Sequence, residues 1–148
     1  MGPLLADKHA FEHTIDQMAE KLHRSDFSHI VAMDARGFLF GSALAYKLNK
    51  GIVMVRKKGK LPGQCISKKF EYEYAGAEFE IQKNQLHPGE KVVVIDDVLA
   101  TGNSVATTID LLKELDINII SAGFLIELEF LNGKEKLGEI PYFSLVQY

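Results

Sequence analysis

KVVVIDDVLATGNSVATTIDLLKEL, Lys91 to Leu115, changes character twice within one segment. Val92 to Ile95 is an unbroken β-branched run, the composition of a central strand in a parallel sheet covered on both faces. The run predicts a strand that stops at Asp96 and Asp97. A turn of small residues follows, Ala100-Thr101-Gly102-Asn103-Ser104, and then a helix with Val105, Ile109, Leu112 and Leu115 on one side. Backbone N–H groups at such a turn favour a phosphate. Thr101 and Ser104 add hydroxyl donors. The paired carboxylates would repel a phosphate, so they suit its neighbours: the hydroxyls of an attached ribose, or a Mg²⁺ ion held between phosphates.

On both sides of this segment the pattern alternates. Asp7 is placed to cap a helix over His9 to Leu22, with Phe11, Ile15, Met18 and Leu22 on one face. Ser28 to Met33 reads as a strand and feeds the turn Asp34-Ala35-Arg36-Gly37. A helix from Phe38 to Leu48 follows, in which Gly41 and Ala45 allow close packing on a sheet. Ile52 to Val55 is a further strand and ends in Arg56-Lys57-Lys58. Lys58 to Lys69 reads as a long polar connection, a length that usually has a function in a compact domain. Phe70 to Tyr74 and Glu78 to Ile81 suggest a hairpin around Ala75-Gly76-Ala77. Ile117 to Leu128 contains another strand, and Lys134 to Tyr148 offers a last edge strand. Strands alternating with helices predict an open α/β sheet, whose ligands bind outside the carboxyl ends of the strands. Three such ends carry polar chemistry: Asp34 to Gly37, Arg56-Lys57, and Asp96 to Ser104. A ligand with a phosphate on one side, a diphosphate on the other and a sugar between them would satisfy all three.

The 148 residues are expected to form one domain, residues 1–148. A net charge of −3 argues against a general nucleic-acid binder, although basic residues gather between Arg56 and Lys69. Cys65 is the only cysteine, so no intrachain disulfide can form, in keeping with a reducing, cytoplasmic location. No stretch reaches the ~18 apolar residues of a membrane span. His9 and His13 have a zinc-compatible spacing but no further ligand set, and read as surface residues.

Two hydrophobic residues, two acids and a Thr-Gly turn resemble the phosphoribosyl-pyrophosphate (PRPP) signature of the type I phosphoribosyltransferases. Longer segments sharpen the resemblance: ARGFLFG (Ala35 to Gly41), RKKGKLPG (Arg56 to Gly63), AEFEIQK (Ala77 to Lys83), VVVIDDVLATG (Val92 to Gly102), GKEKL (Gly133 to Leu137) and FSLVQY (Phe143 to Tyr148). In this order they resemble the adenine phosphoribosyltransferase family. The resemblance implies an open, mainly parallel twisted sheet flanked by helices, with a flexible catalytic hairpin. It implies transfer of 5-phosphoribosyl from PRPP to adenine, giving AMP and pyrophosphate with Mg²⁺, by a cytoplasmic homodimer that engages neither nucleic acid nor membrane.

Roles carried over by resemblance follow residue by residue. Ala100, Thr101, Gly102, Asn103 and Ser104 would hold the 5-phosphate. Asp96 and Asp97 would face the ribose and base, and a protein-bound metal is not expected, Mg²⁺ being carried by pyrophosphate and ribose near these acids. Asp34, Ala35 and Arg36 would meet pyrophosphate, with a non-proline cis peptide between Asp34 and Ala35 and with Arg36 reaching the reacting centre. Arg56, Lys57 and Lys60 would receive the leaving pyrophosphate. Glu73 would exchange a proton with the purine imidazole, beside Tyr74. Leu128 would pack on the base. Lys58 to Tyr74 would close over the substrate.

The chain also departs from the family pattern. The usual ATGGT turn is ATGNS here, where Asn103 tolerates positive φ better than most residues. Ala75 stands where the family has glycine; if that position needs positive φ, either Ala75 is strained or Gly76 takes over the turn. Family members carry a base-covering segment before Pro3-Leu4-Leu5, and its absence predicts weakened adenine recognition. Two alternatives stay open: a phosphoribosyltransferase for another base, and a catalytically weak paralogue that binds nucleotides.

Overall fold

The computed structural model describes residues 1–71 and 76–148. Its elements are α1 (Gly2–Ala6), α2 (Lys8–Leu22), β1 (His29–Met33), α3 (Gly37–Leu48), β2 (Gly51–Lys57), β3 (Cys65–Lys69), β4 (Glu78–Gln82), β5 (Lys91–Leu99), α4 (Asn103–Glu114), β6 (Asn118–Glu127) and β7 (Tyr142–Gln147). Two short 3-10 turns, Glu129–Leu131 and Gly133–Leu137, connect β6 to β7. The strands form one sheet in the order β3-β4-β2-β1-β5-β6-β7. The pairings from β2 through β7 are parallel, whereas β4 runs antiparallel to both β2 and β3.

The β-branched run behaves as a doubly covered strand. Val92 and Val94 join the core under α4 with Val105, Ile109 and Leu112. Val93 and Ile95 join the opposite core with Ile15, Met18 and Leu22 of α2 and Phe40 and Leu44 of α3. Asp7 caps α2 as its position predicts, its Oδ1 accepting from the backbone N–H groups of His9 and Ala10 at 2.9 and 3.0 Å. Gly41 explains how closely α3 lies on the sheet: a Cβ there would stand 2.6 Å from Ala32 Cβ.

Two expectations change. The central strand does not stop at the acids but continues to Leu99, pairing Leu99 with Glu127 of β6. The first strand of the hairpin is Cys65–Lys69, inside the stretch read as a polar connection. Its register, Lys69 opposite Glu78 and Cys65 opposite Gln82, leaves Phe70 to close the ladder, its N–H donating to Ala77 O. An edge strand needs only one covered face, so Ser67, Lys68 and Lys69 read as loop although they pair. The residues before Asp7 form a short helix, α1.

Candidate active site

The carboxyl ends of β1, β2 and β5 converge. At β5, Gly102 takes the left-handed conformation with φ 78° and caps α4. Asn103 is already helical, so its replacement of a glycine demands no positive φ, contrary to the expectation drawn from the turn alone. Ala100, Thr101, Gly102, Asn103 and Ser104 line a small cavity of about 60 Å³ together with Asp96 and Phe124.

The acid pair divides. Asp97 is buried and accepts from Arg36 Nε, whose side chain is 62% exposed. Asp96 is half-buried and lines the cavity, and its Oδ1 accepts the Asp97 N–H at 2.9 Å. Burial pushes the Asp96 carboxyl up to about 8, with the negative Asp97 adding to the effect against the Asp97 amide and the Arg36 charge. A protonated Asp96 can donate a hydrogen bond, which removes the repulsion expected between this acid and a nearby phosphate. Gly37 makes room for it, since a Cβ there would lie 2.8 Å from Asp96 Oδ1.

The β1 loop is fastened to β2 through Asp34. Its Oδ2 accepts the Lys57 N–H at 3.4 Å and lies 3.5 Å from Arg56 Nε. The Asp34–Ala35 peptide is cis, and Ala35 and Arg36 are exposed. Arg56 lies over the Phe38 ring at 5.8 Å and donates from Nη1 to Lys60 O at 3.4 Å. A larger cavity of about 490 Å³ has Asp34, Lys57, Lys58, Phe70, Glu78 and Ser104 on its wall. Ser104 thus belongs to both cavities.

Other predicted residues fall differently. The Lys60 side chain is exposed and does not line that cavity, whereas its N–H donates to Glu80. Leu128 is half-buried, its N–H donating to Leu99 O at 2.9 Å. Glu73, Tyr74 and Ala75 lie outside the described residues. Gly76 has φ 64°, the left-handed geometry of one of the two alternatives, while Ala75 lies outside the described residues.

Several residues were not anticipated. Lys58 lines the larger cavity and pairs with Glu78 at 3.0 Å. Buried Glu80 accepts from Lys60 and Leu61 N–H at 3.0 and 2.8 Å. Burial would raise its carboxyl, but the amides of Leu61, Gly59 and Lys60 outweigh burial and hold it below its ordinary value. Gly133 packs on the Ala100–Gly102 turn, and Lys136 Nζ donates to Asn103 Oδ1. The GKEKL segment was a visible signal for the last two, though not for their contacts.

Residues 4–139 match the model of the phosphoribosyl transferase domain. The chain is similar to the adenine phosphoribosyltransferase of Clostridium tetani, 48% identical over 98% of this chain and 84% of the relative. It superposes on the crystal structure of adenine phosphoribosyltransferase from Thermoanaerobacter pseudethanolicus with TM-score 0.95 and 41% identity, over 99% of this chain and 86% of that one. The Saccharomyces cerevisiae adenine phosphoribosyltransferase, solved with an imino-altritol bisphosphate and adenine, matches with TM-score 0.89 and 40% identity over 97% and 83%. Sequence identity at this level along nearly the whole chain, on a superimposable sheet, shows that the chain belongs to the adenine phosphoribosyltransferase family.

Proposed function

We propose that this chain transfers the 5-phosphoribosyl group of PRPP to adenine, forming AMP and releasing pyrophosphate, a purine-salvage reaction. The observation that carries this reading is the meeting of two unlike anion cavities at Ser104. One, lined by the Ala100–Ser104 turn with Thr101 and Ser104, suits a monophosphate, and the other, edged by Lys57 and Lys58, suits a diphosphate. A ribose joining the two groups would pass Asp96. In the reaction, adenine N9 forms the new bond to ribose C1 as the bond from C1 to the pyrophosphate oxygen breaks, and a proton leaves the imidazole. Glu73 is our candidate acceptor for that proton, with Tyr74 beside it. Positive charge develops on the sugar, and the Asp97 carboxylate, held by Arg36, sets the field there. Lys57 and Lys58, on the wall of the larger cavity, attract the departing pyrophosphate with Arg56 beside them, and Leu128 lies under the base.

Mg²⁺ belongs to this proposal as an ion carried by PRPP and pyrophosphate, where it would neutralise the leaving group. The donor set fits that role: among the described residues no three metal-ligating side chains are grouped, Asp97 is engaged by Arg36, and Asp34 by Arg56 and Lys57. A homodimer also belongs to it. Leu39 and Tyr46 of α3 are 47% and 92% exposed and edge an apolar groove with Leu5, Phe11 and Phe38. A second copy of this chain is the proposed cover. The lone cysteine supports a cytoplasmic location.

The test supplies PRPP and Mg²⁺ with adenine, guanine or hypoxanthine in turn and follows the monophosphate. AMP should form far faster than GMP or IMP. Faster turnover with another base would reassign the substrate, and nucleotide binding without turnover would make the chain a binding protein.

A further inference from the structure

Glu127 is a buried carboxylate, 2% exposed, at the carboxyl end of β6, and the chemistry above does not use it. It accepts three hydrogen bonds, all from β7: Tyr142 OH at 3.3 Å, Ser144 Oγ at 3.0 Å and Gln147 Nε2 at 3.2 Å. Among the described residues no cation pairs with it. Burial, and then the Glu127 charge, push the Tyr142 hydroxyl up, so it remains a donor. A carboxylate buried without a cation is a costly way to close a sheet, and an apolar side chain would do so more cheaply. What the carboxylate adds is direction, because three donors at fixed places on β7 determine where its two oxygens lie.

The backbone around it shows what is being held. Glu127 O accepts the Tyr148 N–H at 3.0 Å, and Tyr148 O accepts the Glu129 N–H at 2.9 Å. Between them, Leu128 donates its own N–H to Leu99 O, one residue before the phosphate turn begins. Leu128 is therefore clamped between β7 on one side and the end of β5 on the other. The segment beyond it reaches the phosphate turn through separate contacts, those of Gly133 and Lys136.

We propose that Glu127 is a positioning residue for base recognition: by locking β7 to the end of β6 it sets the place of Leu128 relative to the phosphate turn, and so the tightness and selectivity of adenine binding. This rests on the reading that Leu128 underlies the base.

The experiment compares Glu127→Leu, Glu127→Gln, Leu128→Ala and their combinations in the full chain, measuring KM for adenine and for PRPP, kcat, and Tm. Glu127→Leu should raise the adenine KM by about tenfold and leave the PRPP KM within about twofold, the scale expected when a contact is misplaced by a fraction of an ångström. Glu127→Gln, which keeps an acceptor, should recover most of the loss. Combined with Leu128→Ala, Glu127→Leu should add little, because both act through one contact. If Glu127→Leu does not fold, the double variant Tyr142→Phe, Ser144→Ala removes two donors and should shift the adenine KM in the same direction. A raised adenine KM in Leu128→Ala with none in the Glu127 or donor variants overturns the positioning role alone. An unchanged adenine KM in Leu128→Ala overturns the base-floor reading and this inference with it. Equal rises in both KM values, or a lowered Tm with neither KM changed, reduce Glu127 to a structural residue.

Discussion

A Cβ on Gly133 would stand 2.2 Å from the carbonyl oxygen of Ala100 and 2.9 Å from Gly102 N. Seen from the other side, a Cβ on Gly102 would meet Gly133 O at 2.5 Å. All these atoms are backbone and cannot rotate away, so the connection after β6 forms a rigid support behind the phosphate turn. Gly133→Ala should therefore destabilise the fold by about 1–3 kcal/mol, the range for overpacking, and displace the turn. Thermal melts and calorimetric AMP titration should show a lower Tm and weaker AMP binding. Gly2→Ala, where nothing lies within 4 Å, is the control. A folded Gly133→Ala protein with undiminished AMP affinity would show that the turn does not need this support.

The Asp96 carboxyl, raised to about 8 in the folded chain, sets a pH dependence of stability. Its unfolded value is about 3.9. Between these two values the folded chain holds a proton that the unfolded chain has lost. Stability from this group is thus fully present below the unfolded value and is lost as pH rises through the folded one, at up to about 1.4 kcal/mol per pH unit. Asp96→Asn carries no such proton. Its Tm relative to the parent should rise from about pH 5 to about pH 8 and then level off. A difference that stays flat over that range would mean that Asp96 is ionised throughout.

The two halves of the site differed in how far they could be read in advance. Val92 to Ile95 announced a strand covered on both faces because burial on two sides leaves a continuous β-branched run. Its continuation through Asp97 was not visible, since the partner of that buried acid, Arg36, lies 61 residues away in sequence. The phosphate turn and the Asp34 loop are local features, so their residues stand together in the chain. Glu80, Glu127 and Gly133 have roles made entirely of tertiary contacts, and in sequence they look like an ordinary strand glutamate, a strand-end acid and a turn glycine.

Arg36 and Asp97 offer a separation of stability from activity. The pair joins a buried carboxylate to a guanidinium that is largely in solvent. Such exposure limits its worth to about 1 kcal/mol. Arg36→Gln should therefore lower Tm by only a few degrees, while kcat should fall by orders of magnitude if Arg36 acts at the reacting centre. A kcat loss no larger than the loss of folded protein would leave Arg36 as an ion-pair partner and nothing more.

The apolar groove beside α3 predicts an oligomeric state. Tyr46→Glu and Leu39→Glu place charges where a second copy should seat, and neither side chain is buried within the chain. Sedimentation should show a dimer for the parent and a monomer for the double variant, with each variant still folded by circular dichroism. A parent that sediments as a monomer at micromolar concentration would remove the dimer from the proposed function.

Glu80 should govern the Lys57–Lys58 side of the site. Its Oε1 gathers the N–H groups of Lys60 and Leu61, and Lys60 O in turn accepts from Arg56 Nη1. The carboxylate therefore shapes the loop that braces Arg56, beside Lys57 and Lys58. Glu80→Ala leaves both amides without this acceptor, and because solvent can reach the loop the loss should be near the lower end of the usual range, about 1 kcal/mol. The KM for PRPP should rise several-fold while that for adenine stays nearly constant. The sign with pH is opposite to that of Asp96. The folded carboxyl lies below its ordinary value, so its stabilisation is present above the unfolded value of about 4.3 and is lost as pH falls through the folded one. In Glu80→Gln, which keeps an acceptor but no charge, the Tm deficit should be full at neutral pH and shrink in acid. Adenine KM rising in step with PRPP KM would show that the loop supports the whole site, and a Tm deficit unchanged in acid would show that the carboxylate charge is not what holds the loop.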